Sequence, residues 1–224
     1  MWQPDLYPLL LTYLQPCERA AHDNIHTEAS YQNAVEIGHL EYAKKYHNIG
    51  QNYDLLMTYA IQHNQLEVVK LFIDVFAVTP DFKAIAQYGR VEIIKYFITC
   101  GHVTSDSELY TAVEHNQLLM IPIIIDANAS KSPNSYVRQI MILESIKVAI
   151  NRNHLDAILI LSKYPPINYD SLLPLATYYN NLPAMRLLIK LGAKNFKGVL
   201  LYAKTPESKA LLISSQCELA SRET

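Results

Sequence analysis

Glycine is scarce in this chain, at six residues of 224, and no pair has the spacing of a phosphate-cradling loop. Cysteine is scarcer: Cys17, Cys100 and Cys217 are odd in number, far apart and form no CxxC. That excludes a disulfide framework, fits a reducing compartment, and suggests that the thiols act mostly as small apolar residues. Charged residues make up only 18%, the formal net charge is −2, and there is no run of Lys or Arg. Such a chain exerts no long-range pull on a phosphate backbone, so no nucleic-acid partner is expected. No apolar stretch approaches bilayer length, and "MWQPDLYPLLLTYLQP" lacks a basic leader, so neither a membrane span nor a signal peptide is expected. GxSxG, HExxH and kinase signatures are also missing.

Apolar residues are plentiful at 50%, enough to bury a core. They recur in one frame six times: "AVEIGHLEYAKKYHNIG" from Ala34, "AIQHNQLEVVKLFIDVF" from Ala60, "IAQYGRVEIIKYFITCG" from Ile85, "AVEHNQLLMIPIIIDANA" from Ala112, "AINRNHLDAILILSKYP" from Ala149 and "ATYYNNLPAMRLLIKLG" from Ala176. The fifth residue of each is Gly38, Asn64, Gly89, Asn116, Asn153 or Asn180. Gly and Asn tolerate the left-handed backbone that commonly ends a helix. Two residues later stands Leu40, Leu66, Val91, Leu118, Leu155 or Leu182, opening an apolar run. Twelve residues past each stop stand Gly50, Phe76, Gly101, Asn128, Pro165 and Gly192, five of them helix breakers or caps. Each unit therefore reads as helix, tight turn, helix, stop. The anchoring alanines are small enough for neighbouring first helices to approach closely. Asp54, Asp106 and Asp170, six residues before an anchor, and Thr79-Pro80 read as helix starts. Leu155→Ala is expected to cost about 2–5 kcal/mol if this residue is packed in the core.

Successive stops are 26, 25, 27, 37 and 27 residues apart. A nearly constant period means that each helix pair leans on the next. The expected fold is all-α: an α-solenoid of about six helix-turn-helix repeats, with helical end caps. Residues 1–27 would form the N-terminal cap, with a helix over Asp5–Leu14, residues 28–193 the repeats, and residues 194–224 the C-terminal capping helices and tail. The long spacing places a loop insertion at about 126–135, within "DANASKSPNSYVRQ" (126–139). Pro122 should kink or shorten the second helix that holds it.

Histidine invites a metal reading, but His63 and His115 share one position of the frame and His39 and His154 another, which points to recurring structural jobs. Cys17, His22 and His26 would share a helical face, yet no fourth ligand is near in sequence. No metal, cofactor or catalytic residue is assigned, and no enzyme is expected. The two residues before each stop are not needed in the core. Gln62, His63, Gln87, Tyr88, Glu114, His115, Asn151, Arg152, Tyr178 and Tyr179, with Glu36 and Ile37 before them, would form a ladder about 8–10 Å per step on the face formed by first helices. Tyr88, Arg152, Tyr178 and Tyr179 are its strongest members, because Tyr and Arg are frequent interface anchors.

"HNQLEVVKLFID" and "NNLPAMRLLIKLGAKNF" resemble the second half of an ankyrin repeat. The "TPLHxAA" opening is missing and the period is short, so the resemblance implies ankyrin-like repeats without β-hairpin fingers. The unit length, the "LGA" ending followed by "F-K", and the abundance of Asn and Tyr resemble the multigene-family proteins of African swine fever virus, nearest the 360 and 505 groups, over residues 28–213. That resemblance implies a viral virulence or host-range factor in the host cytosol. It would bind a host signalling protein and suppress innate immune, interferon or inflammatory signalling. The alternative from the residues is an assembly protein that self-associates as a homo-oligomer through its ends, at "GVLLYAK".

Overall fold

The computed structural model describes residues 15–23, 26–48, 52–101, 105–131, 135–164 and 166–222, and among these it is all-helical with no strand. The helices are α1 (Pro16–Asp23), α2 (Glu28–Ile37), α3 (Leu40–Lys45), α4 (Tyr53–Gln62), α5 (Leu66–Asp74), α6 (Phe82–Tyr88), α7 (Val91–Thr99), α8 (Asp106–Glu114), α9 (Met120–Lys131), α10 (Ser135–Arg152), α11 (Leu155–Leu161), α12 (Leu173–Tyr178), α13 (Leu182–Lys190), α14 (Phe196–Val199) and α15 (Pro206–Arg222), with short 3-10 turns at Tyr169–Ser171 and Leu200–Tyr202. The Asp5–Leu14 helix and the stops at Gly50 and Pro165 lie outside the described residues.

The chain divides into two compact units, one through Cys100 and one from Gly101. In the N-terminal unit α4 packs between α2 and α6, while α5 packs between α3 and α7. In the C-terminal unit α8, α10, α12 and α14 follow one another, and so do α9, α11, α13 and α15. Within each unit, first helices touch first helices and second helices touch second helices.

All six stops take positive φ, from 53° at Asn180 to 78° at Gly38. In every case the next residue donates its N–H to the carbonyl of the anchor: His39 to Ala34, Gln65 to Ala60, Arg90 to Ile85, Gln117 to Ala112, His154 to Ala149 and Asn181 to Ala176. This six-to-one bond satisfies a carbonyl left free at the helix end and turns the chain sharply into the second helix. The anchor is fully buried in all six units, and so is the residue after it: Val35, Ile61, Ala86, Val113, Ile150 and Thr177. Thr177 is polar there, and its hydroxyl is satisfied by the Leu173 carbonyl at 2.9 Å. The second helices bury a face spaced i, i+1, i+4: Val68, Val69 and Phe72; Ile93, Ile94 and Phe97; Ala157, Ile158 and Leu161; Ala184, Met185 and Leu188.

The structure corrects several expectations. Leu155 and its equivalents in the other five units are only half-buried, because this position stands at the turn and not on the buried face of the second helix. Residues 126–131 of the expected loop insertion are helical. α9 runs on through Asn128 to Lys131 and α10 begins at Ser135, so the described extra residues lengthen these two helices. Ala127 and Ala129 favour helix, and a proline at 133 disfavours helix just before itself. Residues 132–134 lie outside the described ones. Pro122 produces no interior break. α9 starts at Met120, two residues later in the frame than its equivalents, which puts Pro122 in the first turn, where no N–H is needed. Three expected caps are displaced: Asn52, Ser105 and Asn168 are the N-caps, and Asp81 takes that role beside Thr79-Pro80. Cys100 and Cys217 are exposed and do not act as core residues.

Candidate docking groove

The neighbouring pairs within each unit are joined by a recurring side-chain bond. The residue after a stop reaches back to a carbonyl at the end of the preceding first helix. Gln65 Nε2 donates to Glu36 O at 2.7 Å, Arg90 Nε to Ile61 O at 3.0 Å with Nη2 on Gln62 O, His154 Nδ1 to Val113 O at 2.8 Å, and Asn181 Nδ2 to Ile150 O at 2.8 Å. A carbonyl only accepts, so His154 carries its proton on Nδ1. A Cβ at Gly38 would run into the Gln65 amide, so any other residue there would push Gln65 off its bond to Glu36. His39 holds the same frame position as His154 but does a different job, accepting the Tyr42 N–H at 3.2 Å. These bonds align the ends of the first helices, where the ladder residues sit.

In the N-terminal unit Gln62 and His63 are exposed at the end of α4, and Gln87 and Tyr88 are half-buried at the end of α6. Glu36 is half-buried and accepts the Gln32 amide at 2.9 Å, while Ile37 is exposed. In the C-terminal unit the ladder borders a groove of about 460 Å³ between α8, α10 and α12. Glu114, Asn151, Arg152 and Tyr179 line it, and exposed His115 is not among its lining residues. A second hollow of about 360 Å³ adjoins it, lined by Lys147, Ser171, Pro174, Leu175, Tyr178 and Tyr202. Lys147 and Leu175 line both.

The charged groups of the larger groove are paired across and along the helices. Arg152 Nη2 binds Glu114 Oε1 from α10 to α8, and Lys147 Nζ meets Glu144 Oε1 at 2.7 Å. Burial, then the nearby Asp106 and Glu144 carboxylates, push the Tyr110 phenol above its ordinary value, so this lining group stays neutral. Tyr178 and Tyr179 meet edge to face with centroids 5.5 Å apart, and both rings are about half-exposed. Lys204 Nζ stands 3.7 Å from the centre of the Tyr178 ring.

The ladder did not include Tyr110, Lys147, Val148 and Leu175, which also line the larger groove. Each lies four residues before a ladder position, one helical turn back on the same face, and that spacing would have found them. Glu144 and Tyr202 carry no such signal. Among the described residues, no group of three or more His, Cys, Asp or Glu is placed to hold a metal, and no helix is long and apolar enough to cross a membrane. No protein-family model matches the chain, and no curated protein matches it.

Proposed function

We propose that the protein is an interaction module whose helix pairs, within each unit, are ankyrin-like repeats without β-hairpin fingers stacked as in an α-solenoid. Its partner is another protein, docked on the ends of the first helices. The observation that carries this reading is the convergence of Glu114, Asn151, Arg152, Tyr178 and Tyr179 on two adjoining shallow hollows of the C-terminal unit. Helix ends locked by backbone and carbonyl bonds hold these side chains in place, so little order has to be gained on binding. Half-exposed Tyr rings offer large contact area with few rotatable bonds. Through its resemblance to the multigene-family proteins, the partner is a host signalling protein in the cytosol, and the outcome is damped innate immune signalling.

Affinity capture from host cells tests the reading, comparing wild type with a variant carrying Arg152→Ala, Tyr178→Ala and Tyr179→Ala. A partner held by wild type and lost from an equally folded variant supports docking here, and equal capture by both removes the site. A second reading, self-association, draws on Leu201, which is 90% exposed, and Ile213, which is 52% exposed. A mass that doubles with concentration in light scattering, and no longer does so after Leu201→Ser and Ile213→Ser, would favour it.

A further inference from the structure

The smaller hollow has a chemical bias that the larger groove lacks. Its lining contains a single charged residue, Lys147, and no acid. Its walls are the apolar faces of Tyr178 and Tyr202 with Pro174 and Leu175, and Lys204 stands over the Tyr178 ring. The stretch of sequence that carries most of its lining is one-sided in charge. From Ser171 to Pro206 there are five basic residues, Arg186, Lys190, Lys194, Lys197 and Lys204, and not one Asp or Glu. All five are exposed. The C-terminal unit holds 12 Lys and Arg against 10 Asp and Glu, whereas the N-terminal unit holds 7 against 11. Asp170, beside Ser171 in sequence, accepts the backbone N–H of Asn195 at 2.9 Å, and Glu144 already pairs with Lys147 from the side of the larger groove, so an incoming carboxylate has to compete with Glu144 for that lysine.

We propose that this hollow is the anchor pocket for an acidic peptide segment of the partner: one aromatic or branched apolar side chain enters between Tyr178 and Tyr202, and flanking carboxylates meet Lys147 and Lys204. The inference rests on the docking reading above and adds the chemistry of the docked segment. The hollow, at about 360 Å³, suits a side chain and not a whole strand. An apolar side chain alone would gain the ring contacts but would leave Lys204 unused. A basic segment would meet like charge, which costs affinity and slows encounter. Single-stranded nucleic acid prefers successive ring platforms along a basic track, whereas Tyr178 and Tyr179 cross at 73°.

The probe is a fluorescein-labelled octapeptide of Glu and Asp around a central Phe, titrated with the full chain and read by fluorescence anisotropy. Saturable binding is expected, weaker at high salt, and weaker by about tenfold for Lys147→Glu and again for Lys204→Glu. Replacing the central Phe by Ser should abolish it, and Tyr178→Ala should do the same, with the circular dichroism of every variant unchanged. The proposal is overturned if a Lys-rich peptide with the same Phe binds as well, if an oligothymidylate binds more tightly, or if the two charge reversals leave the affinity unchanged. The two readings fail separately. Groove-dependent capture of a partner with no binding of the acidic peptide would discard this inference and keep the docking site.

Discussion

Asn181 is tied to Ile150 across 31 residues of sequence: its Nδ2 donates to the Ile150 carbonyl at 2.8 Å, while its Oδ1 accepts the Ala184 N–H at 3.0 Å. One amide therefore caps its own helix, α13, and fastens it to the preceding pair. Asn181→Ala removes both bonds and leaves a helix-end carbonyl without this donor. The expected loss is about 1–2 kcal/mol, read as a lower urea midpoint at unchanged slope. Asn181→Asp keeps the cap, loses the donor, and should fall between the two.

The stops separate residue types by backbone conformation alone. At Asn153, with φ of 58°, glycine is tolerated and a β-branched residue is not. Asn153→Gly should lie within a few tenths of a kcal/mol of wild type, whereas Asn153→Val should cost about 1–2 kcal/mol. Thermal melts of the pair check this, since the Asn153 side chain is exposed and little packing changes with it.

Core depth predicts a second contrast. Phe97 is fully buried, so Phe97→Ala should cost about 3–5 kcal/mol. Leu155 is half-buried, and Leu155→Ala should cost only about 1–2 kcal/mol, below the range expected for a core leucine. Chemical denaturation of both variants, with the fully buried Leu161→Ala as the reference in the same unit as Leu155, tests the ranking.

Tyr31 gives a pH dependence. Burial, and then the neighbouring Tyr53, push its phenol well above the ordinary 10.0, and its hydroxyl donates to the Ala43 carbonyl at 3.0 Å. A raised folded-state value means that the folded protein holds this proton more tightly than the unfolded chain. The contribution is therefore complete below the unfolded value and is lost as pH climbs past it. Denaturation midpoints should begin to drop near pH 10.0 and keep dropping at higher pH, and Tyr31→Phe should flatten that drop while costing about 1 kcal/mol at neutral pH.

The frame of six stops was legible because left-handed backbone restricts residue choice, so Asn64, Gly89 and Asn153 announce their conformation by type alone. The 126–135 segment was misread because its small and polar residues resemble a loop, whereas Ala127 and Ala129 are equally at home in the extended end of α9. The groove was half legible. Tyr179 and Arg152 stood out by their position before a stop, but Tyr202 belongs to a 3-10 turn outside the frame and reaches the same hollow through tertiary packing. Charge asymmetry between the halves is invisible in a net value of −2, because the two units offset each other.

The fastening between successive pairs has main-chain oxygen as its receiving end, on Glu36, Ile61, Val113 and Ile150, and its giving end is in turn Gln, Arg, His and Asn. A main-chain oxygen survives any mutation of the residue that bears it, and four different donors serve. Cohesion thus places almost no demand on the identity of the outward-facing side chains. Such an architecture can drift far in letters while keeping its joints, and its exposed helix ends are at liberty to vary.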